Sequence, residues 1–447
     1  MRDRLHSLSR VLLGLWVLSL VPGMPQALAA DEKGSRSKQT TKQIPGGRSR
    51  VEIIQRANGE HVLLRNGEPY FIRGAGGWEF LDELVAAGGN SIRTWGAEHI
   101  DPAAFDEAQR RNLTVMAGLW LPHPREGFDY ADAKQVSQLV TRLRAYVRRH
   151  KDHPALLLWG IGNEMELDGK DPNIWKTVEA VAAMVHEEDP HHPTVTVLAE
   201  VSEQKIVALR EHCPSIDALG VNSYGALFSL PQRLQQLGWD KAYVLTEFGP
   251  PGPWGEVPVT AWKAPIEPSS TEKADYYLRG YQQAVASQRG RSLGSYVYFW
   301  GIEPTIVVTH TWYETFLPGG GKERLGAVEA MQLAWTGKSP VNRAPQLIAL
   351  RSSAAQQTVA PGSSQTAEVQ VQDPDGDSLR VRWEVRAEST TLTGPAPAVI
   401  TDCIDRSEGL RVSFTAPRTP DPYRLFVYVY DDHGNAATAN VPFLVAR

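Results

Sequence analysis

The chain has 447 residues, 42% hydrophobic and 22% charged, enough to bury a large core and to hold more than one average domain. A formal charge of −5 supplies no basic field for nucleic acid and excludes that class of partner. The 13 tryptophans offer flat faces on which sugar rings can stack, although tryptophan is also ordinary core material.

At the N-terminus, Arg2, Arg4 and Arg10 precede or flank an apolar run from Val11 to Val21, and Ala27-Leu28-Ala29 offers a small-x-small cleavage site. This pattern predicts a secretory signal peptide over residues 1–30 and export to the periplasm or the extracellular space. The run is shorter than the ~20 apolar residues a membrane helix needs, so no membrane span is expected after signal removal. Residues 31–50 are polar and aperiodic, the composition of a flexible linker. Arg56 to Asn66 predicts a small hairpin turning at Ala57-Asn58-Gly59 and covering a floor.

From there, short apolar runs alternate with amphipathic stretches. Strands are predicted at Phe71–Arg73, Ser91–Thr94, Thr114–Leu119, Leu156–Gly160, Thr194–Leu198, Ala218–Val221, Tyr243–Thr246 and Ser295–Phe299. The intervening helices fall at Leu81–Ala87, Pro102–Arg111, Ala131–Arg149, Asn173–Glu188, Lys205–His212, Leu230–Leu237 and Thr271–Arg289, with Lys322–Trp335 after the last strand. This count gives an α/β fold, a (β/α)8 TIM barrel over residues 51–338. A doubly wound open sheet would more often carry a phosphate loop after its first strand, and Gly74-Ala75-Gly76-Gly77 lacks that spacing.

The pattern changes at Pro340-Val341-Asn342-Arg343-Ala344-Pro345. Beyond it, period-two runs such as Leu379, Val381, Trp383, Val385 and Leu425, Val427, Val429 alternate with turn clusters. They predict a small all-β immunoglobulin-like sandwich over residues 343–447. Its Asp-rich turns, Asp373-Pro374-Asp375-Gly376-Asp377 among them, read as tight turns in preference to Ca²⁺ ligands. Cys213 and Cys403 fall in different predicted domains and read as two buried thiols.

In a parallel barrel the C-terminal strand ends surround the active site. Here those ends carry Trp78, Arg93, Trp95, Trp120, His123, Asn163, Glu164, Asn222, Tyr224, Glu247 and Trp300. The apolar runs Leu156–Trp159 and Val244-Leu245 each lead into a glutamate, Glu164 and Glu247. Two carboxylates facing one another across a cleft are the equipment for breaking a glycosidic bond. His123 has no second histidine or acid at ligand spacing, so no metal site is assigned. Pro250 opens a long segment running to Ser270, predicted to wall the cleft and to present Trp254.

These residues resemble the clan A retaining β-glycosidases, TIM-barrel enzymes that include families 2 and 5. The marks are Trp159-Gly160-Ile161-Gly162-Asn163-Glu164 at strand four, Thr246-Glu247-Phe248-Gly249 at strand seven, Asn90-Ser91-Ile92-Arg93, Asn222-Ser223-Tyr224 and Trp300. The resemblance covers roughly Val51 to Trp335. It implies that Glu164 is the general acid/base and Glu247 the nucleophile, with retained anomeric configuration. It further implies that Arg93 keeps Glu247 ionised, that Tyr224 hydrogen-bonds it, that Asn163 binds the sugar 2-hydroxyl, and that Trp300 floors the subsite. Trp95, Trp120, His123, Asn222 and Trp254 complete the expected substrate-binding set. The substrate expected is a β-linked polysaccharide or oligosaccharide, glucan-like in preference, acted on by a monomer without a cofactor. The barrel-first layout and Arg93-Thr94-Trp95 also resemble β-glucanosyltransferases of the same clan. A non-catalytic polysaccharide-binding protein on the same scaffold and a surface adhesin led by the C-terminal sandwich are the remaining alternatives.

Overall fold

A computed structural model describes residues 47–96, 103–302, 306–319, 321–389 and 393–446. The expected signal peptide and residues 31–46 of the expected linker lie outside the described residues.

Eight parallel strands close into a barrel: β1 (Ile72–Gly76), β2 (Ser91–Arg93), β3 (Thr114–Leu119), β4 (Leu156–Ile161), β5 (Thr194–Ala199), β6 (Ala218–Asn222), β7 (Tyr243–Phe248) and β8 (Ser292–Val297). Every residue of β3, β4 and β7 is buried, because helices cover the outer face and side chains fill the lumen. Parallel pairing of β8 with β1, from Gly294↔Ile72 to Val297↔Ala75, seals the circle.

The surrounding helices are α1 (Leu81–Ala86), α2 (Ala103–Arg110), α3 (Ala133–His150), α4 (Pro172–Glu188), α5 (Glu203–His212), α6 (Leu230–Gln236), α7 (Ser270–Ala284) and α8 (Gly326–Thr336). Local chemistry sets their starts. Asp132 caps α3 by accepting from the N–H groups of Lys134 and Gln135, and Ser269 with Glu272 forms a capping box on α7. Among the described residues no helix is long and apolar enough to cross a membrane.

Antiparallel strands Val51–Gln55 and His61–Arg65 precede the barrel, turning at residues 56–60. The Val51 N–H donates to the His191 carbonyl at 2.8 Å and the His61 N–H to Gly290 at 2.7 Å. Val51 and Leu63 thereby join Ile72, Leu157, Val195, Ala218 and Leu293 in one apolar cluster at the N-terminal strand ends.

C-terminal to the barrel, β9 (Gln346–Ser352), β10 (Thr358–Val359), β11 (Ser364–Gln372), β12 (Arg380–Ala387), β13 (Arg411–Thr415), β14 (Pro422–Tyr430) and β15 (Ala436–Val445) form two sheets, ordered β9-β11-β13 and β10-β15-β14-β12. Between them lies a core that includes Val369, Trp383, Val385, Phe414, Leu425 and Val427. Asp373 and Asp431 act within their turns, each accepting two backbone N–H groups on one carboxylate oxygen. Cys213 and Cys403 are buried in separate cores, the first in the barrel layer and the second between these sheets.

Several boundaries differ from the sequence reading by a few residues. The floor hairpin begins at Val51, five residues earlier than Arg56. The last barrel strand spans Ser292–Val297 and not Ser295–Phe299, so Trp300 lies beyond its end.

Candidate active site

The candidate site is assembled from the ends of β2, β4, β6 and β7. Glu247 stands on β7 with 3% of its surface exposed. Its Oε1 accepts from Arg93 Nη1 at 2.8 Å and from Trp95 Nε1 at 2.6 Å, and its Oε2 accepts from the Tyr224 hydroxyl at 2.8 Å. Three donors from the ends of two strands, β2 and β6, therefore hold one carboxylate in a fixed orientation. Arg93 is buried beside it, so the ion pair acts in a poorly solvated place where a lone charge would be costly.

Glu164 follows β4 at a sharp turn. Gly162 and Glu164 both adopt positive φ, 66° and 53°, the second uncommon for a non-glycine residue. A Cβ on Gly162 would sit 2.4 Å from the Met165 sulfur, so any other residue there meets a disfavoured conformation and must displace the Met165 side chain. The Glu164 N–H donates to the Val197 carbonyl of β5 at 3.0 Å, which fixes the turn. The Glu164 carboxyl accepts from Asn222 Nδ2 at 2.6 Å. Burial first, and then the negative charge of Glu247, push its pKa well above the ordinary carboxylate value.

The two carboxyls belong to one network. Asn222 Nδ2 also donates to Asn163 Oδ1 at 3.1 Å, and Arg93 Nη2 donates to the same oxygen at 2.7 Å. Glu247, Arg93, Asn163, Asn222 and Glu164 thus form a continuous hydrogen-bonded chain, and Thr246 orients Asn222 by donating to its Oδ1 at 2.8 Å. Its hydrogen bonds link residues 58 to 154 positions apart, brought together by barrel closure.

Residues 106–248 match the glycosyl hydrolases family 2 TIM barrel domain. The matched stretch holds Asn163, Glu164, Asn222, Tyr224 and Glu247. No curated protein matches the sequence. Among solved structures, Bacteroides uniformis beta-glucuronidase 2, covalently bound to cyclophellitol-6-carboxylate aziridine, superposes with a TM-score of 0.50 at 13% identity, over 89% of this chain and 48% of that one. An FMN-binding beta-glucuronidase from Facaelibacterium prausnitzii L2-6 gives a TM-score of 0.50 at 14% identity, over 89% of this chain and 59% of that one. The chain spans about half the length of these structures.

The remaining sequence-derived candidates divide. Trp95 contacts the Glu247 carboxylate itself, a position that orients Glu247. Trp254 stands half-buried with its ring edge-on to Tyr224 at 5.3 Å and stacked on Tyr313 at 6.2 Å. His123 is buried with Nε2 at 3.2 Å from the Glu164 carbonyl oxygen, and burial lowers its pKa to about 4, so near neutral pH it is an uncharged support for the Glu164 turn. Trp120 is half-buried just past β3.

Trp300 is not placed to floor a subsite. It is 1% exposed, packs on Phe316 and on Trp335 of α8, and donates Nε1 to the Phe80 carbonyl. The half-buried aromatic of this strand end is Tyr298, which meets Trp95, Tyr224 and Tyr313 with ring centroids 6.0, 5.9 and 5.2 Å away. The alternation Tyr296, Tyr298, Trp300 contained this signal, but choosing among the rings required knowing where the strand ends.

Sequence reasoning also missed the buried ion pair behind Glu164. Glu166 Oε1 accepts from Lys205 Nζ at 2.7 Å and from the Ala199 N–H at 2.9 Å, tying the acid-bearing turn to the end of β5. No spacing rule links Glu166 to Lys205, which lie 39 residues apart.

Proposed function

We propose that the protein is an exported retaining glycoside hydrolase that cleaves a β-linked saccharide by double displacement through Glu247 and Glu164. The observation that supports this reading is the hydrogen-bonded chain joining an arginine-paired carboxylate to a second, proton-retaining carboxyl at one barrel mouth. Glu247, held by Arg93, Trp95 and Tyr224, attacks the anomeric carbon. As the new carbon–oxygen bond forms, the glycosidic bond breaks and Glu164 gives its proton to the departing oxygen.

The same electrostatics turns Glu164 from acid to base. Once Glu247 is esterified its charge is gone, so one of the causes that raised the Glu164 pKa disappears. The ionised Glu164 then takes a proton from water, whose oxygen attacks from the face the leaving group vacated, breaks the bond to Glu247 and restores the starting configuration. Activity is expected to fall as pH rises through the elevated Glu164 pKa, because the acid form is lost.

Glu164→Gln should lower turnover of a β-linked glycoside by about 10²–10⁴-fold, and Glu247→Gln should abolish it. Binding of the uncleaved sugar should persist in both. Proton NMR of the first-formed product should show the substrate's own anomer; an inverted product would overturn the mechanism. β-Glucans are the preferred first substrates, with mannans, galactans and β-uronides beside them. Transfer to a second sugar is the alternative favoured by the ring cluster of Trp254, Tyr298 and Tyr313 next to Tyr224. An added acceptor sugar would then yield longer oligosaccharides at the expense of hydrolysis.

A further inference from the structure

Two loops carry the aromatic rings beside Tyr224, and both are anchored away from the barrel. The first follows β7 and bears Trp254; the second follows β8 and bears Tyr313. Glu267, near the end of the first loop, is buried and collects four donors. Lys273 and Thr311 bond its Oε1, while Thr309 and Asn440 bond its Oε2. Thr309 and Thr311 belong to the second loop, whereas Asn440 belongs to β15 of the C-terminal sheets. One carboxylate therefore ties both loops to the C-terminal layer.

The contact extends further along that layer. Arg424 of β14 donates Nη2 to the Pro265 carbonyl of the first loop at 2.6 Å and Nη1 to Asn440 Oδ1 at 2.7 Å. His310 of the second loop has Nε2 at 2.7 Å from the Tyr428 hydroxyl, and its ring lies 4.7 Å from that of Phe426. Trp312 donates Nε1 to the Pro251 carbonyl, joining the two loops to each other. Val308 sits at φ 65°, a strained conformation for a β-branched residue that persists only where its surroundings impose it. Glu256 completes the wall by accepting from the N–H groups of Gly252 and Gly225, the latter adjacent to Tyr224.

We propose that the C-terminal sheets shape the substrate cleft: the β14–β15 face is the mould on which the Trp254 and Tyr313 loops set, and Asn440 is a positioning residue for sugar binding that acts through Glu267. The proposal rests on the glycosidase reading for its functional consequence. Asn440 touches no reacting atom; it fixes where the rings stand.

The test uses the full chain and two readouts. In Asn440→Ala, amide hydrogen exchange over residues 250–269 should rise, and kcat/KM on a β-linked oligosaccharide should fall about tenfold, chiefly through KM. Trp254→Ala removes the ring that the loop presents, so Asn440→Ala added to it should cost little more. Losses that multiply independently, or unchanged exchange over 250–269, would overturn the proposal. A lower melting temperature with unaltered KM would do the same. Should Asn440→Ala fail to fold, Tyr428→Phe, which keeps the ring and loses the hydroxyl's bonds to His310 and Glu384, is read for exchange over 308–316 and for KM by the same criteria. If exchange rises as expected but the wild-type protein turns over no sugar, the positioning stands and the glycosidase reading fails.

Discussion

In the proposed mechanism, Glu164 sets function and stability against one another within a single side chain. Its folded-state pKa is raised by burial and by Glu247, so its effect on stability appears as pH climbs above the ordinary carboxylate value. Below that value both folded and unfolded forms are protonated and nothing is lost; above it the unfolded chain ionises freely and the folded one resists. Glu164→Gln, neutral and nearly isosteric, is expected to raise the melting temperature at pH 7 by about 2 °C while removing activity. An unchanged or lowered value in calorimetry would contradict that account. Trp95 offers a second test at this scale. Trp95→Phe keeps a ring but removes one of three donors to Glu247, which should reduce kcat/KM about 10- to 100-fold, the worth of a hydrogen bond to a charged group. A change in KM alone would return Trp95 to a purely sugar-contacting role.

At the scale of elements, strand ends decide which residues face the site. β8 stops at Val297, and the chain then turns so that Trp300 packs outward on Trp335 while Tyr298 joins the ring cluster. The β2–β3 pair shows how closely these ends are fitted. Gly118 of β3 has no room for a side chain: a Cβ there would lie 2.2 Å from the Trp95 carbonyl oxygen and 2.4 Å from that of Thr94. Gly118→Ala must therefore displace the segment bearing Trp95. It is expected to destabilise the fold by about 1–3 kcal/mol and to lower activity by more than the stability loss explains. Denaturant melts beside kinetics at a temperature where the variant is fully folded would separate the two effects.

Across the whole molecule, the joint between barrel and C-terminal sheets buries ionisable groups whose titration tunes stability. Burial lowers the His310 pKa to about 4, with Arg386 acting in the same direction and Glu384 and Glu267 opposing. The unfolded chain takes up a proton on this histidine below pH ~6.5 while the folded one resists until about pH 4. Stability is therefore full above the unfolded value and lost as pH falls through that window, by up to roughly 3 kcal/mol from this one group. In His310→Gln the decline of melting temperature from pH 6.5 to 4 should be shallower than in wild type; parallel curves would refute the assignment. The carboxylates held low by their partners, Glu188 at about 2 by Arg148 among them, add their own loss at still lower pH.

The sequence by itself determined the barrel and the identity of its two central carboxylates. Both follow from local rules: buried parallel strands are continuous apolar runs, and a residue at a strand's C-terminal end faces the mouth. Glu164, Glu247, Arg93, Asn163, Asn222 and Tyr224 all stand at such ends and were legible for that reason. The tertiary structure alone decided how these groups pair, that Trp95 serves Glu247, that Tyr298 and not Trp300 faces the rings of the mouth, and that Glu166 meets Lys205. It alone decided, too, that Asn440 of the last strand reaches Glu267 across 173 residues. Such contacts depend on loops and layers folding back in three dimensions, where no sequence period relates one partner to the other.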